Sequence, residues 1–120
     1  MTEWDLVILP SFEADIAKYQ IDQEKLDSWL SDMKRSPNTL HHAHPLRGPL
    51  KPLWSAHMHE SSLYIMAYLL CFGNSAACFS SLGVRRFNYI DDNDVSHTCI
   101  KGTKRIYACR MISKHDYKKL

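Results

Sequence analysis

The chain has 120 residues, 45% of them hydrophobic and 23% charged, the balance of a soluble protein with one ordinary core and not of a disordered tail or a fibre. Its longest apolar run, Leu63 to Phe72, is well short of the roughly 20 residues a membrane helix needs, so no membrane partner is expected. The net charge of +2 hides a division: residues 1–40 carry four Lys/Arg against eight Asp/Glu, and residues 41–120 carry eleven against five.

Trp4 to Leu9 reads as a first strand, stopped by Pro10. Ser11 then has the chemistry of a helix N-cap, with Glu13 and Asp15 in a first turn that favours anions. A second helix begins near Asp22. Leu26, Trp29, Leu30 and Met33 fall at i, i+3, i+4 and i+7, a clean amphipathic stripe that reads as core, and Pro37 ends it. Residues 36–52 form a loop rich in Pro, His and Gly. From Leu53 to Glu60 the pattern alternates, with Trp54, Ala56 and Met58 on one face and Ser55, His57 and His59 on the other, as in a half-buried strand. Leu63 to Phe72 is nearly all apolar, as a central strand covered on both faces is.

Gly73-Asn74-Ser75 makes a turn. Ala76–Leu82 and Val84–Ile90 are further β-type segments, and Asp91-Asp92-Asn93-Asp94 is a polar turn. Val95–Ile100 and Arg105–Ile112 then read as a last hairpin. Ser113-x-x-Asp116 is a weak capping box for a terminal helix. The order predicts one α+β domain: a small twisted, mainly antiparallel sheet with a helical hairpin on one face, a core of about residues 4–90, and a C-terminal β extension over 91–120.

Met1-Thr2-Glu3-Trp4-Asp5 lacks the basic and apolar segments of a secretory signal, and the four cysteines form no C-x-x-C pair. A cytoplasmic protein with reduced thiols is the expectation. Cys71 and Cys78, in apolar segments, read as small core residues, and Lys114, Lys118 and Lys119 as a solvated tail.

The chemistry is concentrated in His44-Pro45-Leu46-Arg47-Gly48, followed by Lys51 and by Ser55-Ala56-His57-Met58-His59-Glu60. Imidazole both gives and takes protons near neutral pH. Arg and Lys supply fixed positive charge for phosphate. The basic C-terminal two thirds suits a polyanion or an acidic protein. The imidazoles of His41, His42, His44, His57 and His59 also raise a metal site, but no Cys or carboxylate stands at a typical ligand spacing, so neither metal nor cofactor is expected.

These residues resemble a known family. A strand, two helices and then a three-stranded sheet in about 90 residues looks like the RelE/ParE superfamily of bacterial toxins. The run His44-Pro45-Leu46-x-Gly48 … Lys51 … Ala56-His57 is similar to the YafQ-type mRNA endoribonucleases, with the same separation between the two His. The resemblance implies a toxin of a type II toxin–antitoxin system: a metal-independent endoribonuclease that cuts mRNA on the ribosome by 2′-hydroxyl attack, and that inhibits translation until a cognate antitoxin protein covers the site. It implies that His44 and His57 belong to the catalytic set. Arg85 or Arg86 would steady the phosphorane charge, Arg47 and Lys51 would grip phosphate, and His59, Glu60 and Tyr89 would lie against the RNA. The sequence departs from that branch at Ser61, where it has an Asp, at Ser62, where it has a Trp, and in lacking the late His near the end of the last core strand; Glu60 stands beside the Asp position, and Arg85 and Arg86 stand in the region of the late His. The rival expectation is a non-catalytic, protein-binding member of the same fold, as ParE-like members show that this fold alone does not set function.

Overall fold

The structure, a computed structural model, describes residues 3–39, 42–58, 64–73, 101–113 and 120. Its elements are β1 (Asp5–Ile8), α1 (Pro10–Tyr19), α2 (Gln23–Arg35), β2 (His44–Pro45), a 3-10 turn (Gly48–Leu50), β3 (Trp54–His57), β4 (Tyr64–Cys71) and β5 (Arg105–Ser113). They form a small α+β domain: two helices and a five-stranded sheet in the order β1-β5-β4-β3-β2. The sheet is mixed. β1 runs parallel to β5, and the other three pairings are antiparallel.

α2 forms as its periodicity predicts. Asp22 caps it, accepting the Lys25 N–H at 3.2 Å, and Leu26, Trp29 and Met33 are buried against the sheet. They meet Ala56 and Met58 beside β4's Met66, Tyr68 and Leu70 and β5's Ile106, Ala108 and Met111 in one core layer. β4 is buried over seven of its eight residues, the two-sided cover its apolar run calls for.

α1 departs from the expected start. Its N-cap is Leu9, with Pro10 in the first turn and no side-chain cap. Proline brings no amide that needs one. Ser11 instead donates its hydroxyl to the Cys109 carbonyl at 2.6 Å. Asp15 is buried, not solvated: its Oδ2 accepts from the Met111 N–H at 3.0 Å and from Arg110 Nε at 2.6 Å, and its Oδ1 from Arg110 Nη2 at 3.2 Å. The reason lies in β1, whose register with β5 stops at Ile8 against Ala108. Beyond that point the backbone groups of β5 need other partners, and the polar side chains of α1 supply them.

The second difference is the place of β5. Arg105–Ile112 is not an arm added outside the sheet but lies inside it, between β1 and β4. Ile106, Tyr107, Ala108, Cys109, Met111 and Ile112 are all buried, so the segment has apolar surface for both faces of the sheet. Gly73, at φ 75°, closes the approach from β4: a Cβ there would sit 2.8 Å from the Thr103 nitrogen. The expected segments Ala76–Leu82, Val84–Ile90 and Val95–Ile100, the turn at Asp91–Asp94 and the capping box at Asp116 lie outside the described residues, and so does Cys78. Among the described residues no helix is long and apolar enough to cross a membrane.

Candidate functional site

The loop that carries His44-Pro45-Leu46-Arg47-Gly48 is shaped by its leucines. Leu46 donates its N–H to the Leu53 carbonyl at 2.8 Å, extending the β2–β3 pairing by one step. Leu46, Leu50 and Leu53 pack with Leu69, Cys71 and Tyr107 on the sheet face opposite the helices. Gly48, at φ 62°, turns the chain between them, in a conformation that favours glycine. With the leucines turned inward, Arg47 and Lys51 are left exposed.

Register then gathers the imidazoles. His44 pairs with Ser55 across β2 and β3, so their side chains share a face, and His57 shares it two residues along. His44 Nε2 lies 3.2 Å from the Ser55 hydroxyl, and His44 Nδ1 lies 3.3 Å from the Pro45 carbonyl oxygen. A carbonyl can only accept, so in neutral His44 the proton sits on Nδ1 and Nε2 accepts from Ser55. Ser55 is 1% exposed. It is placed to orient the imidazole and not to meet a substrate.

Continuing the same register by two residues sets position 42 against His57. The two rings meet edge to face, with centroids 5.5 Å apart and an interplanar angle of 67°. His42 takes φ 59° to do so, a left-handed conformation that costs a non-glycine residue on the order of 1 kcal/mol. The sequence treats His42 as loop. Its place follows only from the pairing of His44 with Ser55. His57 is fixed from behind as well, since its carbonyl accepts from Trp29 Nε1 at 3.2 Å. The core stripe of α2 therefore sets the strand that carries the imidazole.

Two of the expected site groups, His44 and His57, thus share this sheet edge with His42, and the strands set their spacing along it. Arg47 and Lys51 lie beyond the Leu46–Leu53 closure, and Leu53 is four residues from His57, about 13 Å at ~3.3 Å per residue. His59, Glu60, Arg85, Arg86 and Tyr89 lie outside the described residues, as do Ser61 and Ser62. Among the described residues no three His, Cys, Asp or Glu side chains are grouped to hold a metal ion.

Two buried groups behind the site are pushed toward their neutral forms. Burial raises the Tyr68 phenol above its ordinary 10.0 and the Cys109 thiol above its ordinary 9.0. Tyr68 donates its hydroxyl to the Pro37 carbonyl at 2.6 Å and ties the end of α2 to β4. Comparison with family models, with curated proteins and with solved structures returns no match.

Proposed function

We propose that this chain is a ribosome-dependent, metal-independent endoribonuclease of the RelE/YafQ kind, the toxin of a toxin–antitoxin pair. The observation that carries the reading is the shared face of His42, His44, Ser55 and His57 beside a loop that exposes Arg47 and Lys51. Cleavage needs one group to take the 2′-hydroxyl proton and one to protonate the leaving 5′-oxygen, with positive charge near the phosphorane. His57 is the acid or base in this scheme. His44, oriented by Ser55, is its partner. Arg47 and Lys51 hold a flanking phosphate. Attack by the 2′-oxygen breaks the bond from phosphorus to the 5′-oxygen, leaving a 2′,3′-cyclic phosphate and a 5′-hydroxyl.

The sheet order also bears on the late His that the resemblance calls for. The last described strand in chain order is β5, which ends at Ser113, and His115 follows two positions on in the chain. In this reading His115 joins Arg85 and Arg86 as a residue to test, although all three lie outside the described residues. The experiment is induction of the chain in a bacterial culture, with total mRNA profiled, beside His57→Ala, His115→Ala and Arg85→Ala/Arg86→Ala variants. Growth arrest with mRNA cuts that His57→Ala abolishes is the expected result. Arrest with intact mRNA would replace this reading with a protein-binding toxin, and growth with intact mRNA would end the active-toxin reading.

A further inference from the structure

β1 is an outer strand among the described strands of the sheet, and no described residue pairs with its free side. Asp5 and Leu9 send their N–H groups to the Lys104 and Ala108 carbonyls at 2.9 and 3.0 Å, so the alternate amides of Leu6 and Ile8 point away from β5. Among the described residues those two amides have no hydrogen-bond partner. Leu6 and Ile8 are half-buried all the same, because their side chains help to line a cleft of about 420 Å³ between β1, α1 and α2. Phe12, Ile16, Leu26 and Leu30 complete its apolar wall. Glu13 and Asp27 are exposed at the same cleft and bring two carboxylates to it. An open strand edge beside apolar side chains is a template for a further strand.

From this edge and cleft we propose a docking site for an extended segment of another protein, with apolar residues alternating with Lys or Arg. The segment adds a strand to β1 through the amides of Leu6 and Ile8. Its apolar side chains enter the cleft, and its basic ones meet Glu13 and Asp27. The charge selects the occupant. A second copy paired β1 to β1 would bring Asp5, Glu13 and Asp27 against their own kind, and residues 1–40 are acidic as a whole. The site lies across the sheet from the imidazoles, three to four strand spacings or about 14–19 Å away. It stands independently of any chemistry there.

The probe is a synthetic seven-residue peptide alternating Val and Lys, titrated to millimolar concentration into the ¹⁵N-labelled full chain. Two further peptides carry N-methyl groups on alternate residues in the two opposite phases, and a fourth has Glu in place of Lys. The expected result is saturable shifts of the Leu6 and Ile8 amide resonances. Binding is lost at least tenfold on methylation in one phase only, and it weakens several-fold with the Glu peptide and with Glu13→Gln/Asp27→Gln protein. Equal weakening by both methylated phases, equal binding of the Lys and Glu peptides, shifts confined to other residues, or no saturation would each overturn the proposal. Concentration-dependent dimerisation that occupies the Leu6 and Ile8 amides would overturn it in favour of a second copy.

Discussion

At one edge of the sheet, β1 offers Leu6 and Ile8 to an apolar cleft flanked by Glu13 and Asp27. At the other, β2 and β3 present His42, His44 and His57 beside a loop that exposes Arg47 and Lys51. The first edge is built from the acidic third of the chain and the second from its basic remainder. β4 and β5, buried on both faces, hold the two apart. An uneven charge along a sequence, easily dismissed as surface composition, has here become two surfaces with different chemistry. In the readings proposed above, the first takes a peptide and the second a phosphodiester.

The comparison breaks most sharply at His57. His57→Ala removes the imidazole but keeps the main-chain carbonyl that Trp29 uses, so the fold should persist. mRNA cleavage should fall by about 10²–10⁴-fold, the usual worth of a positioned acid or base. An unchanged thermal midpoint with activity lost is the expected pair of readings, and retained cleavage would remove chemistry from this edge.

Arg110→Ala probes the ground between the edges. It strands the buried Asp15 carboxylate and should cost about 3 kcal/mol, lowering the midpoint by roughly 10 °C in a chain of this size. A change within 2 °C by calorimetry would mean that α1 is held without this pair.

The central strands also predict a pH limit. The folded state holds Cys109 and Tyr68 protonated above their ordinary values of 9.0 and 10.0, whereas the unfolded chain releases those protons at the ordinary values. Stability from both groups is therefore complete below about pH 9 and falls as pH rises, by up to about 1.4 kcal/mol per pH unit for each group once its unfolded form titrates. Urea midpoints from pH 8 to 11 should decline, with a shallower slope in Cys109→Ala. Midpoints constant to pH 11 would contradict this.

The smallest expected effect sharpens the role of His44. Ser55→Ala removes the hydroxyl on His44 Nε2 and should lower cleavage roughly three- to tenfold, the worth of one hydrogen bond, with stability little changed. A loss as large as that of His57→Ala would make Ser55 more than an orienting group.

Much of this fold is legible where the signal is local. The Leu26–Trp29–Met33 stripe and the apolar run of β4 name their own element and buried face, and the alternation of Trp54 to Met58 names its strand, although Ser55 on its polar face is buried as well. The interior place of β5 is not, because its parallel partner β1 lies about a hundred residues away and a strand's own pattern does not name its neighbour. For the same reason Ser11 and Asp15 read as capping groups, although they serve the backbone of β5. At the site, residue types and spacing single out His44 and His57, while His42 and the orienting hydroxyl of Ser55 emerge only from the register of β2 on β3. The three leucines that seat the loop were visible as letters, but not which face of the sheet they would cover.

The central claim is that the imidazole edge cuts RNA by 2′-hydroxyl attack. Its most direct test is incubation of the purified chain with mRNA-programmed ribosomes in a chelator, with the new RNA ends determined chemically beside the His57→Ala variant. The account predicts 2′,3′-cyclic phosphate and 5′-hydroxyl ends that His57→Ala does not produce. Intact mRNA, 5′-phosphate ends, or the same cuts from His57→Ala would contradict it.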